Sequence, residues 1–362
     1  MQTNVTTLSA SRSINYTHTF ACSRNEEMAD GGGWSTIESD EGVFTSLVET
    51  LGVQDIQFEE LISLDADTIR SLGTVYGVIF LFKWIRDPAQ DHPQQHDQQQ
   101  QQQQQQQETP KDGTYDPSTP LFFAAQTIQN ACATQAILSV ILNQDTTTTN
   151  HQQHPPIRIG ADLRAFKDFT AGFPPELRGE ALSNSEAIRT AHNAFSRASP
   201  FVDETAPRAA AATDADEDVY HFIAYTAVDG VLFELDGLQP YPIRHGDCSG
   251  GGGRRDDFAE KVIEVLRRRI ARYPDGETRF NLMAVVRDLR IRAREAGDVE
   301  GLLGEERKRR TWAWENSLRK SNFVGFIGEV LKGVAARKEN EGRFEDWVER
   351  AEAETARKLQ RR

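Results

Sequence analysis

The sequence predicts an α+β protein, in which antiparallel strands carry helices and a helical tail follows. Three observations predict it. Residues 219–238, VYHFIAYTAVDGVLFELDGL, are two alternating apolar runs joined by Asp229-Gly230, the favoured two-residue hairpin turn. The stretches YGVIFLFKW (76–84) and RFNLMAVVRD (279–288) have the β-branched and aromatic content of buried strands. Residues 289–362 are helical in composition almost throughout and carry no strand signal.

Taken in order, residues 1–33 are polar, lack an apolar period and end in MADGGG; they are expected to be disordered, and Met28 is an alternative start. Order begins at Trp34. Asp40 and Glu41 precede Val43, Phe44, Leu47, Val48 and Leu51 at helical spacing, a helix that Gly52 closes. QDIQFEELISL supplies a short strand and turn before the strand at 76–84. Residues 87–115, with their glutamine run, cannot bury enough apolar surface to offset ordering entropy and read as a disordered insert. His92 and His96 lie in it and are read as solvated filler.

QNACATQAILSVILN (129–143) follows as an apolar helix, and a second polar insert occupies 144–156. LSNSEAIRTAHNAF starts another helix, with Ser183 and Glu186 in capping-box spacing. Residues 196–218 are small, acidic and apolar-poor, the composition of a long mobile loop. DDFAEKVIEVLRRRIARY (256–273) is an amphipathic helix between the hairpin and the closing strand. There is no internal repeat.

Composition narrows the function. Three cysteines, Cys22, Cys132 and Cys248, are an odd number without framework spacing, which argues for a reducing compartment. The N-terminus lacks a basic stretch followed by an apolar core, and the longest apolar run, VIFLF at 78–82, is too short for a bilayer. A soluble intracellular protein is expected. Its formal charge of -14 disfavours nonspecific nucleic-acid binding and favours partners with basic surfaces. The charge is uneven: residues 289–362 hold 18 Lys/Arg against 14 Asp/Glu, leaving 23 against 41 for the rest.

The chemistry-bearing residues cluster around Cys132. Asn130 is a good N-cap residue, which would place Cys132 at the second helical position with the helix N-terminus favouring its thiolate. A small buried residue in an apolar helix is the competing explanation, and Cys132 alone does not defeat it. The hairpin supplies a base. With Asp229-Gly230 as the turn, Val228 faces Val231, Ile223 faces Asp236 and His221 faces Leu238, so Asp236 is the diagonal same-face neighbour of His221. That pairing gives a base with the carboxylate that orients it. Gln126, just before the helix, can offer its amide to a tetrahedral oxyanion beside the Cys132 N–H. His192 and His245 are read as structural or solvated.

At these residues the chain resembles the ubiquitin carboxyl-terminal hydrolase family of cysteine peptidases, and its long, proteasome-associated branch in particular. The resemblance runs from Trp34 to about Asp288 and resumes near Trp314, through GVFTSLVETLGV, VYGVIFLFKW, FFAAQTIQNACATQAILSVILN, GEALSNSEAIRTAHNAF, FELDGL and RFNLMAVV. It implies a papain-like fold, a central antiparallel sheet wrapped by helices, as a catalytic domain over 34–288. It implies Cys132 as nucleophile, Gln126 as oxyanion stabiliser, His221 as general base and Asp236 as its orienting acid. It further implies a loop crossing the active site, where 196–218 falls, and no metal or organic cofactor. The helical extension 289–362, with Phe323, Phe326, Ile327, Val330, Leu331 and Val334 in one stripe, resembles the part of the branch that docks onto an adaptor subunit of the proteasome's regulatory particle.

The expected activity is thiol-dependent hydrolysis at the C-terminal glycine of ubiquitin, in cytoplasm and nucleus, with ubiquitin conjugates and the adaptor as partners and neither nucleic acid nor membrane. Two rivals are weighed. A noncatalytic ubiquitin-binding adaptor is opposed by the intact Cys132, His221 and Asp236. A general papain-like peptidase acting on unfolded chains is disfavoured by the extent of the resemblance.

Overall fold

The computed structural model describes residues 33–83, 113–145, 155–196, 220–248, 257–274, 277–321 and 323–359. The expected disorder of 1–32, most of the inserts at 87–115 and 144–156, and nearly all of the crossing loop at 196–218 lie outside the described residues.

Seven strands among the described residues form one sheet: β1 (Ile56–Glu60), β2 (Val75–Lys83), β3 (Thr114–Tyr115), β4 (Tyr220–Val228), β5 (Val231–Leu235), β6 (Ile243–Asp247) and β7 (Asn281–Arg287). Their order across the sheet is β1-β7-β2-β4-β5-β6-β3, and neighbours pair antiparallel. Strands β2, β4 and β7 are buried along nearly their whole length, which is why their sequences run almost continuously apolar. Thr114 and Tyr115, placed in the glutamine-rich insert by composition, instead close the sheet edge against Arg244 and Ile243. Two residues carry too little periodicity to announce a strand.

Helices cover both faces. Helix α1 (Glu41–Thr50) begins at Asp40, whose carboxylate accepts the Val43 N–H at 2.9 Å, and the chain leaves it through Gly52 at φ 86°. Short α2 (Ala66–Ser71) follows β1. Helix α3 (Cys132–Ile141) is buried at all ten positions. Helices α4 (Gly160–Thr170), α5 (Pro175–Ser183) and α6 (Glu186–Asn193) pack around it. Helix α5 escapes a periodicity reading because it buries only Gly179 and Leu182. The cap of α6 is Ser185, whose hydroxyl accepts the Ile188 N–H, whereas Ser183 ends α5; the expected capping box does not form. Helix α7 (Asp257–Ile270) lies on the other face of the sheet.

Two apolar clusters therefore sandwich the sheet. One joins α1, α3 and α4–α6 to Ile79, Leu81, Phe222, Ala224, Phe233 and Leu235. The other joins α2 and α7 to Phe80, Phe82, Ile223, Tyr225 and Leu232. Alternation along each strand assigns every side chain to a face. A bulge at Val75/Gly77 shifts that alternation at the start of β2. Gly77 also lets α3 approach the sheet, since a Cβ there would sit 2.8 Å from a Val140 methyl carbon and 2.7 Å from the Tyr225 carbonyl.

Past the closing strand the chain is helical, as its composition predicts: α8 (Leu289–Ala296), α9 (Val299–Lys320), α10 (Val324–Asn340) and α11 (Phe344–Leu359). Helix α9 returns to the body. Trp312 packs on Gly42, Asn316 donates to the Gly42 carbonyl, and Arg319 pairs with Glu38 and Asp40.

Candidate active site

The geometry follows from how α3 lies on β4. Beyond the helix C-terminus, the Gln144 side-chain amide donates to the Thr226 hydroxyl at 2.9 Å and the Ala227 carbonyl at 2.6 Å. Counting back, Cys132 lies about 18 Å up the helix axis and His221 about 17–20 Å up the strand. The helix N-terminus and the first residues of β4 thus share one end of the molecule.

At that end His221 Nε2 is 2.6 Å from Asp236 Oδ1, and both residues are buried. The hairpin turn produces this contact. Asp229 and Gly230 take φ of 52° and 77°, the left-handed pair that a two-residue turn requires, and Val228 pairs with Val231. The ladder runs to Ala224–Leu235 and stops there. The expected pairing of His221 with Leu238 does not form, because the chain turns at Asp236: the Gln239 N–H bonds the Asp236 carbonyl and the Leu238 N–H bonds Asp236 Oδ1 at 3.0 Å. The turn brings the carboxylate onto the imidazole.

Burial pushes the Asp236 carboxyl up, but the hydrogen bond and charge of His221 and the Leu238 N–H outweigh it and hold the group below its ordinary value. Asp236 is therefore ionised at neutral pH. A carboxylate on Nε2 fixes the proton of the neutral imidazole there and leaves the Nδ1 lone pair as the basic site.

The start of α3 differs from expectation. A short 3₁₀ turn, Gln129–Ala131, leads into it, so Cys132 is the first α-helical residue and no side chain caps the end. Asn130, expected as the cap, instead donates its amide to the Trp34 carbonyl at 2.9 Å. That bond draws the N-terminal segment over the helix start. His192 completes the tie: Nδ1 is 2.7 Å from the Thr134 hydroxyl, Nε2 is 2.6 Å from the Ser35 carbonyl, and the ring packs edge-on to Trp34. His192 is thus structural. Cys132 is 8% exposed and stands at the N-terminus of α3.

Gln126 lies on an extended segment with no strand neighbour, so its backbone groups are satisfied individually. Asn143 takes both polar groups of Phe122, Arg178 donates to the Leu121 and Phe123 carbonyls, and Gln135 of α3 donates to the Ala124 carbonyl. The Ala125 N–H bonds the Pro175 carbonyl, and the Gln126 N–H bonds the Gly237 carbonyl at 2.8 Å. Gln126 is thereby pinned beside the residue that follows Asp236. The structure thus brings Cys132, His221, Asp236 and Gln126 to one end of the sheet. A cavity of about 850 Å³ at the other end of α3, bordered by Asn143, Gln144, Asp229 and Tyr241, includes none of them.

Among the described residues no group of His, Cys, Asp and Glu is arranged to hold a metal, and no helix is long and apolar enough to cross a membrane.

Residues 34–271 match the model of ubiquitin carboxyl-terminal hydrolase, family 1, and residues 299–339 match a second ubiquitin carboxyl-terminal hydrolase model. Ubiquitin carboxyl-terminal hydrolase 2 of Schizosaccharomyces pombe is 44% identical, the match covering 89% of this chain and 98% of that protein. Ubiquitin carboxyl-terminal hydrolase isozyme L5 of Dictyostelium discoideum is 33% identical over 86% and 94%. Among solved structures, Trichinella spiralis UCH37 bound to ubiquitin vinyl methyl ester is 30% identical with a TM-score of 0.55, covering 80% of this chain and 100% of that one. The chain belongs to family 1 of the ubiquitin carboxyl-terminal hydrolases and is a cysteine peptidase of that family.

Proposed function

We infer that this hydrolase cleaves ester, thioester, amide, peptide and isopeptide bonds at the C-terminal glycine of ubiquitin, with the four residues above in distinct roles. The observation that carries the reading is the buried 2.6 Å bond between His221 and Asp236 at the Cys132 end of the sheet. The Cys132 thiolate attacks the carbonyl carbon of the terminal glycine. The Gln126 amide and the Cys132 N–H donate to the oxyanion. His221, protonated at Nδ1, gives that proton to the leaving amine as the C–N bond breaks, leaving a thioester. His221 then takes a proton from water, which attacks the thioester and frees the thiolate. Asp236 holds the ring and stabilises the imidazolium throughout.

The tail supports a docking role. Phe326 and Ile327 on α10 are 68% and 53% exposed, and Val330 and Leu331 extend the same stripe, which nothing in the described chain covers. Its family resemblance favours an adaptor subunit of the proteasome's regulatory particle, hence action in ubiquitin-dependent catabolism in cytoplasm and nucleus.

The test is covalent labelling by ubiquitin with an electrophile at its C-terminus. The intact protein is expected to label and Cys132→Ala not to. Labelling retained by Cys132→Ala would remove the nucleophile. An unlabelled intact protein, still unlabelled with purified proteasome added, would favour the noncatalytic adaptor.

A further inference from the structure

His221 is not the only ionisable group on its face of the sheet. Alternation along β5 puts Glu234 on the same face as Asp236, and each is 4% exposed. Same-face neighbours on one strand lie about 7 Å apart. Two carboxylates buried that close cannot both stay ionised without a cation between them and solvent.

Arg269, in the last turn of α7, is that cation. Its Nη1 is 2.5 Å from Glu234 Oε1, while His245 Nε2 from β6 is 2.9 Å from Glu234 Oε2. The guanidinium also lies over the Phe82 ring, 4.7 Å from its centre. Phe82 pairs directly with His221 across β2 and β4, and their rings meet edge to face at 5.8 Å. Arg269 thus reaches the catalytic pair by two routes, through the charge of Glu234 and through Phe82.

We propose that Arg269 is a positioning residue for hydrolysis: it neutralises the buried Glu234 so that this second carboxylate does not bias His221, and it backs the imidazole through Phe82. The proposal rests on the reading of His221 as the base.

The surroundings are consistent with it. Burial pushes Glu234 up, but the His245 hydrogen bond and the Arg269 charge hold it below its ordinary value. Burial would lower Arg269, yet Tyr225, Glu234 and Asp236 push it up, so it is permanently charged. Burial pushes the Tyr225 phenol well up, and burial raises Tyr273 and Tyr115 as well, so all three stay neutral. Glu234, Asp236 and Arg269 are then the fixed charges facing His221 from β5 and α7, with His245 facing Glu234 from β6.

Removing the cation leaves Glu234 to favour imidazolium, the form that gives its proton to the leaving amine, over the neutral form that takes a proton from water. A unit charge at this range and an effective dielectric near 20 moves a titration by on the order of one pH unit. The experiment is the pH profile of kcat and kcat/KM on ubiquitin carrying a fluorogenic leaving group, for R269M, E234Q and R269M/E234Q.

R269M is expected to move the basic limb of kcat/KM, which reports loss of the His221 imidazolium proton, up by about 0.5–1 pH unit and to lower kcat at neutral pH by up to about 10-fold through the water step. E234Q, which leaves Arg269 uncompensated, is expected to move the limb down. The double variant removes both charges and is expected to restore the wild-type limb. A limb that stays put in both single variants, or a double variant shifted as far as R269M, would overturn the proposal. Should R269M fail to fold by circular dichroism, the downward shift of E234Q and its reversal in the double variant decide alone. A wild type that does not cleave, or a Cys132→Ala variant that cleaves equally well, would instead overturn the functional reading on which this rests.

Discussion

The contact between His221 and Asp236 shows how much one turn fixes. Two left-handed residues, Asp229 and Gly230, set the register of β4 on β5, and that register delivers a carboxylate to an imidazole 15 positions away in sequence. Asp236→Asn separates the charge from the geometry, because the Asn oxygen can still accept from both Nε2 and the Leu238 N–H. It is expected to fold with nearly unchanged stability and to lose roughly 10²–10⁴-fold in kcat, with ubiquitin affinity retained. Steady-state kinetics with a binding isotherm check both halves; equal losses in kcat and affinity would mean that the carboxylate builds the binding surface instead. Asp236 was legible in the sequence because the signal is local. The helix cap was not: the preference of Asn130 for a cap position gave way to a bond with the Trp34 carbonyl, 96 residues distant. Arg269 was equally hidden, since Arg267, Arg268 and Arg269 are alike in sequence and only the packing of α7 turns the last one beneath the sheet.

At the scale of elements, α3 is held in place by groups that were read as bland. His192 looked like one more solvated or structural histidine, yet its ring joins α6 to the third residue of α3 and to the N-terminal segment. Burial lowers its pKa to about 4, while the Ser35 carbonyl pulls weakly the other way. An unfolded histidine binds its proton near pH 6.5, so between about 4 and 6.5 the unfolded chain carries a proton that the folded one refuses. The contribution is fully present above 6.5 and is lost as pH falls towards 4, by roughly 3 kcal/mol at most. The expected outcome is that His192→Gln, though less stable than wild type at pH 7, approaches it as the pH is lowered to 4.5. Urea unfolding of both proteins across that range measures the difference and cancels other titrations. A gap independent of pH would show that folding leaves the titration of His192 unshifted. The strands and most long helices were readable from periodicity, whereas α5 was not, because a helix that buries only Gly179 and Leu182 leaves no stripe to count.

Across the whole molecule, the polar seam of α9 distinguishes a bound helix from a loose tail. Its inward residues recur at helical spacing: Lys308 and Arg309 reach Glu59, Glu49 and Asp288, Trp312 covers Gly42, Asn316 bonds the Gly42 carbonyl and Ser46, and Arg319 pairs with Glu38 and Asp40. Surface ion pairs of this kind contribute little each, so the buried Trp312 is the main apolar anchor. Its fit depends on the missing side chain at position 42, where a Cβ would stand 2.7 Å from the indole ring. Gly42→Ala is therefore expected to destabilise the protein by about 1–3 kcal/mol through overpacking, and Trp312→Ala by about 3 kcal/mol through lost burial. The two effects are not additive. In the Trp312→Ala background the clash is gone, and alanine in the first turn of α1 is better than glycine by up to about 1 kcal/mol, so the same Gly42→Ala change should become stabilising. A double-mutant cycle by chemical denaturation on the full chain reads this reversal of sign directly. A Gly42→Ala change that stabilises equally in both backgrounds would place α9 away from α1 in solution, and the tail would then meet its partners without first being anchored to the catalytic body.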